Sequence, residues 1–525
     1  MLDPVNESDV HTGERLLDFL DSRSPWNRRL WNVSLSLMLR EVLEAAEAVN
    51  AGVLSRPSLS FLANVVQKTV GTDPGAGTEE EKKVLQRALK PDVRLDSLKY
   101  HIIAQQEVRL RTEYLARWAQ ALRDRHPPDV EQTARAVTSH LLDVGYSSDF
   151  LHRWWKYRLK YEQGTRSLAD IVDDAQQLAL RPERGFDIMV PVSRAIRLTG
   201  SPKAPSEWRS PVQVAAWLRA EKFDVTEIRH NGGFLFRVEA LDPDAAVVRV
   251  SELLDQLGAR VAIGTRRDLS LLGRVWIQGM RTPHRLDSVK RGVWVEALER
   301  ENQLYDAYSS GGISAAIELL SHLQSSSPSA AVAGGWAAIE ALLSEPGSDR
   351  AEAADRLAML VACSYPRAEL TILSYDISRS DGGFAERLRG VDENRRRCDI
   401  VAEALTTGTL SANGLAGSVS ATAARTLRML REPRRTLSRV QEHAVSAFRR
   451  LYRQRNMVLH GARMDAVALR ASLRTAAPLV GAGIDRIIHA HYVGNVAPLP
   501  LAAQAHVALA TLGTGGGPGI TTLLD

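Results

Sequence analysis

"TLSRVQEHAVSAFRRLYRQRNMVLHG", residues 436–461, carries the pattern on which the reading of the chain turns. Placed on a helix at 100° per residue, Val440, Ala444, Phe448, Leu451, Tyr452 and Leu459 form one apolar ridge. Arg455 falls inside that ridge, about 20° from Phe448, where the pattern asks for an aliphatic side chain. Asn456 and His460, four residues apart, lie on the flank of the same face. An arginine, an asparagine and a histidine are thereby expected to reach one cleft at the edge of a helical core.

An unpaired buried guanidinium costs several kcal/mol, on the order expected for an isolated interior charge, so Arg455 calls for an anionic partner. "GGWAAIEALL", residues 334–343, offers one. Trp336, Ile339 and Leu343 mark the buried face of a second helix, and Glu340 sits among them as another charged intruder. An ion pair between Glu340 and Arg455 is the expectation. Gly461 follows His460 directly and reads as the left-handed residue that ends the helix. The negative end of the helix dipole there favours a charged imidazole, and an arginine fork beside a proton-moving histidine suits a phosphate.

The wider helix is strongly basic. From Arg425 to Arg463 eleven arginines face only Glu432 and Glu442, a surplus of nine, while the whole 525-residue chain carries only +5. Arg449, Arg450 and Arg453 approach the polar group and are expected to contact RNA phosphates, the alternative being a solvated helix face. Arginine dominates throughout, with only ten lysines.

The "RxRNxxxHG" wording at Arg453–Gly461, preceded some 110 residues earlier by the "W-x3-E" helix, resembles the HEPN superfamily, most of all its Apea-like branch. The resemblance covers roughly residues 285–490. It implies a helical bundle that forms a homodimer with two motifs facing across a cleft, and metal-independent RNA cleavage there, with no cofactor. Many members act as toxins or in antiviral defence against phage. By this resemblance His460 is the general base or acid and Arg455 stabilises the phosphorane. Asn456 orients the scissile phosphate and Glu340 holds Arg455. Attack by the internal 2′-hydroxyl would leave a 2′,3′-cyclic phosphate and a 5′-hydroxyl. The competing expectation is a catalytically silent bundle that binds RNA or another partner.

Outward from this segment the chain reads as mainly α. Residues 1–182 show three-and-four apolar spacing in "LWNVSLSLMLREVLEAAEAV" and "LKYHIIAQQEVRLRTEYLARWAQALRD", and are expected to form an N-terminal helical domain. Near Phe186 the period changes to two. "FDIMVPV", "FDVTEI", "FLFRVEA" and "ARVAIGT" read as strands, interleaved with helices at "SPVQVAAWLRAE" and "DPDAAVVRVSELLDQLG", and "RVWIQG" as a possible extra strand. That order predicts a small α+β ferredoxin-like domain over 186–280. Phe234, Phe236 and Val238 are expected to pack under its helices rather than to stack on RNA. A HEPN-like helical domain is expected over 285–512 and a mobile tail, "GTGGGPGITTLLD", over 513–525.

Composition narrows the function classes. Two cysteines, Cys363 and Cys398, give neither a disulfide framework nor zinc-ligand spacing, which fits a reducing cytoplasm. No signal peptide or membrane span is expected. GxxxxGK[ST], HExxH and GxSxG are absent from the sequence. "HAHY", with His489 and His491, lacks the carboxylate or cysteine neighbours of a metal site, and "RWWKYRLKY", Arg153–Tyr161, reads as an inter-helix packing cluster.

Overall fold

The computed structural model describes residues 7–124, 127–161, 166–194, 205–224, 228–286, 290–306, 311–347, 349–380, 382–415 and 417–524. Among them 20 α-helices account for most of the chain, joined by one five-stranded antiparallel sheet, so the fold class is mainly α. No helix of the described residues is long and apolar enough to cross a membrane. The chain divides into two compact units. One comprises residues 1–143, 154–176 and 291–525, and the other 144–153 and 177–290.

The first unit is helical, and its boundaries differ from those the sequence suggested. Residues 1–143 do not separate from the C-terminal helices; the two share one body. Buried polar side chains explain why. Asn27 donates to Glu369 at 3.0 Å, Arg28 pairs with Asp376 at 3.2 Å, and Arg474 with Asp143 at 2.6 Å. These contacts tie the N-terminal helices to the C-terminal half, and the buried Asn27 and Glu369 would carry a penalty if left unpaired.

At the centre lies the helix Pro433–Gly461, packed against the helices Glu352–Ser378, Leu469–Gly494 and Pro328–Leu343. Its core face is Leu437, Val440, Ala444, Ala447, Phe448 and Leu451, all buried. Trp336, fully buried, lies with its ring 4.8 Å from that of Tyr452. Leu459, expected on the apolar ridge, is instead 51% exposed, because the core contacts stop a turn before the helix does. The 513–525 segment departs from expectation as well. Leu523 and Leu524 are buried, and Arg367 donates to the Thr521 carbonyl at 2.8 Å, which docks residues expected to be mobile.

The second unit is built on the sheet β2-β3-β1-β4-β5, every neighbouring pair antiparallel: β1 Arg184–Pro191, β2 Trp208–Arg209, β3 Gly233–Ala240, β4 Arg274–Ile277 and β5 His284–Arg285. Strand alternation sends Phe186, Ile188 and Val190 to one face, where Ala246, Val250 and Leu254 of the helix Pro243–Thr265 cover them. Met189 and Trp276 point to the other face, against Val214 and Leu218 of the helix Pro211–Ala220. The helices therefore lie on opposite faces, unlike a ferredoxin-like fold, in which both would share one.

Two misread segments account for that difference. "ARVAIGT" continues the helix Pro243–Thr265 instead of forming a strand. "RVWIQG" supplies β4 in its place. The expected strand "FDVTEI" falls partly outside the described residues. Phe236 and Val238 pack under the Pro243–Thr265 helix, as the alternation suggested, and Phe234 is buried beside Trp208.

Candidate active site

The helix Pro433–Gly461 ends one residue later than its sequence suggests. Ala462, not Gly461, takes the left-handed conformation, at φ 51° and ψ 25°, and its N–H bonds the Met457 carbonyl. Arg463 N–H reaches the same carbonyl at 3.1 Å, closing the last turn. Gly461 makes a close approach instead: a Cβ there would stand 3.2 Å from Val53 Cγ1, a tight contact.

Within this last turn and a half the three polar residues converge. Arg455 Nη1 donates to Asn456 Oδ1 at 2.9 Å and meets His460 Nε2 at 3.1 Å. Asn456 is buried, Arg455 half-buried and His460 exposed, so the group opens towards solvent at its histidine end. A guanidinium only donates, so this contact requires His460 Nε2 to be the acceptor and its ring proton to be on Nδ1. The Nε2 lone pair is then taken up by the guanidinium, and it becomes available to a substrate proton when Arg455 turns to an anionic oxygen.

Glu340 does not join them. Its carboxylate lies 3.3 Å from the Arg350 guanidinium, on the neighbouring turn-rich segment. Arg455 does not need it, because a half-buried guanidinium that keeps contact with water escapes the penalty that made a carboxylate partner seem obligatory.

The arginines expected to grip RNA are also placed otherwise. Arg450 and Arg453 are 1% and 2% exposed and both clamp Glu41 of the helix Leu35–Asn50. Arg450 Nε donates to Oε2 at 2.9 Å and Arg453 Nε to Oε1 at 3.0 Å. Burial alone would raise the Glu41 carboxyl; the Arg453 and Arg450 guanidiniums outweigh it and hold it below its ordinary value. Arg449 forks onto Asp355 and lies over the Phe61 ring at 4.2 Å. All three are structural cations in this unit.

Glu41, Glu44 and Glu47, spaced by three on the Leu35–Asn50 helix, were missed from the sequence. Glu44 accepts from the Val467 N–H at 3.2 Å, and burial pushes its carboxyl up to about 7. Glu47 pairs with Arg463 at 3.0 Å. The signal was available: three acids on one face of an otherwise oily helix ask for cations elsewhere. His489 is paired with Glu301 at 2.8 Å. Among the described residues no group of three or more His, Cys, Asp or Glu is arranged to hold a metal ion.

No family model matches the chain, and no curated protein and no solved structure was found similar to it.

Proposed function

We propose that the protein is a metal-independent endoribonuclease of HEPN type, in which the helical unit around Pro433–Gly461 is the HEPN-type bundle. The observation that carries this reading is the double contact of Arg455 Nη1 with Asn456 and His460 at the open end of the helix. As Arg455 Nη1 exchanges the imidazole for a phosphate oxygen, the freed lone pair of His460 Nε2 takes the proton of a ribose 2′-hydroxyl. The freed oxygen attacks the adjacent phosphorus, and Arg455 stabilises the negative charge of the phosphorane. The P–O5′ bond breaks, giving a 2′,3′-cyclic phosphate, and the departing 5′-oxygen receives a proton from the facing motif of a second copy in a homodimer. Asn456 fixes the guanidinium in the plane that serves both partners. A cytoplasmic toxin or antiphage effector, released by a cellular or phage trigger, is the role this chemistry fits.

A second reading has its own observation. The same 3.1 Å contact satisfies the His460 lone pair and half-neutralises the helix end, which a silent bundle that binds RNA or another partner without cutting would also use. Incubation with total RNA in chelator, followed by end mapping, separates the two. The nuclease leaves 2′,3′-cyclic phosphate ends that vanish with His460→Ala. Intact RNA with the wild-type protein, or cutting that persists in the variant, refutes it.

A further inference from the structure

The arginine-rich segment 425–463 is the obvious place to look for an RNA-binding surface, and five of its surplus of nine are cancelled where they stand. Arg425 meets Glu369 at 3.1 Å, Arg428 meets Asp129, Arg449 meets Asp355, Arg450 and Arg453 share Glu41, and Arg463 meets Glu47. By sequence, the sheet unit, 144–153 with 177–290, holds nineteen Lys and Arg against fourteen Asp and Glu, a surplus of five. The whole chain's net charge is also +5, so the helical unit nets to zero. By sequence, the net positive charge of the chain therefore lies in the sheet unit.

Within that unit one stretch concentrates the charge. Residues 266–285 contain Arg266, Arg267, Arg274, Arg281 and Arg285 against Asp268 alone, and all five arginines are exposed. Two placements run against local stability. Arg274 stands directly opposite Arg285 across the β4–β5 ladder, a like-charged pairing that weakens the ladder. Arg266 ends the helix Pro243–Thr265 at φ 56° and ψ 31°, a left-handed position that glycine takes without strain. Val275 and Ile277 are buried in the core under that helix, so strand alternation turns Arg274 to the opposite face. Residues directly opposite across antiparallel strands lie about 5 Å apart, so the register gathers positive charge at one place on the edge.

We propose that the β4–β5 edge, with the Arg266–Arg267 segment leading into it, is the docking surface for single-stranded RNA. This rests on the endoribonuclease reading for the identity of the polyanion, and assigns gripping to the sheet unit and cutting to Arg455 and His460. Charge on an edge strand also prevents edge-to-edge pairing with another chain. Either sign serves that purpose, whereas RNA requires a positive one, and charge reversal to glutamate separates the roles.

The test uses the full chain carrying His460→Ala, a fluorescein-labelled unstructured 20-nucleotide oligoribonucleotide, and anisotropy over a range of KCl concentrations. R266E/R267E/R274E/R285E in that background is expected to bind at least tenfold more weakly. Its dependence of log affinity on log salt should be shallower by about 3, since each lost single-strand phosphate contact removes about 0.7. R431E/R434E/R435E/R439E, the same change in net charge on exposed positions of the helical unit, is expected to stay within threefold of the parent. Thermal melts check that both variants are folded. Parental affinity in the sheet variant, equal weakening in the helical-unit control, or no salt-dependent binding by the parent would overturn the proposal. Binding that follows the proposed pattern in a protein that leaves RNA uncut sinks the nuclease reading alone; cutting by a wild-type protein whose sheet variant binds normally sinks the docking surface alone.

Discussion

One nitrogen of Arg455 serves two acceptors, and His460 Nε2, 3.1 Å away and five residues on, is one of them. The contact crosses more than a full turn of helix and leaves the imidazole exposed while its lone pair is aligned. It ties the protonation state of the histidine to the position of the guanidinium, because an imidazolium could no longer accept.

This dependence makes the fork testable. Arg455→Lys retains the charge but replaces a planar fork with a compact ammonium that cannot hold both Asn456 and His460 in one plane. Cleavage of labelled RNA is expected to fall by about 100-fold, in the range for a positioned donor at a developing charge. The melting temperature should stay nearly unchanged, since the side chain is half-buried. A lysine variant cutting within threefold of wild type would show that the fork is not used.

Glu340→Ala should leave cleavage within threefold of wild type, because Glu340 faces Arg350 and not Arg455. The Arg350 partner is largely exposed, and a surface ion pair of this sort contributes about 0–1 kcal/mol. A steep loss of rate with an unchanged fold would instead place Glu340 in the chemistry.

Glu41→Ala removes the one carboxylate that Arg450 and Arg453 share and leaves two interior guanidiniums without a counter-charge. Destabilisation of about 3–5 kcal/mol is expected from urea unfolding. The sign with pH follows from the depressed carboxyl of Glu41. The stability it contributes is complete above the unfolded carboxyl value of 4.5 and is lost as the pH falls below that towards the folded value. The alanine variant should therefore show a flatter acid limb than wild type.

His140 gives a second acid-sensitive point. It is 1% exposed, has no hydrogen-bond partner on either ring nitrogen, and stacks on Tyr114 at 4.8 Å; burial lowers its pKa from 6.5 to about 4. Above pH 6.5 it is neutral folded or unfolded and contributes no pH dependence. Between 6.5 and 4 the unfolded chain takes up the proton first, so stability falls as the pH drops. His140→Phe keeps the stacking and removes this loss, worth roughly 3 kcal/mol at pH 4 at about 1.4 kcal/mol per unit. Unfolding curves at pH 7 and pH 4.5 check it: equal pH dependence in wild type and variant would rule it out.

Much of the helical architecture was legible because its signals are local. The ridge from Val440 to Leu451 and the alternation of Phe186, Ile188 and Val190 follow directly from residue spacing, and both are buried as expected. The meeting of Arg455, Asn456 and His460 was legible for the same reason, since one helix carries all three. What failed involved partners far apart in sequence. Glu340 and Arg455 each sit on a core-facing stripe, but periodicity fixes only the direction a side chain takes from its own helix and says nothing of which helix lies opposite. Arg450 and Arg453 looked like solvent cations because their neutralising group, Glu41, lies some 400 residues earlier. "ARVAIGT" read as a strand because its β-branched residues fit both periods; continuation from a helix already capped at Asp242 decided the outcome.

The shared body of residues 1–143 and 291–525 has a consequence for how the protein is made. Glu41 leaves the ribosome 409 residues before Arg450, roughly 20–80 s earlier at ordinary elongation rates, and must wait with its neighbours unsheltered until then. No nascent chain short of the helix Pro433–Gly461 owns either the histidine or the cations that seat its helix. The seated helix thus comes into being only near the end of synthesis, and any holdase that shelters the early helices would set the moment at which it first exists.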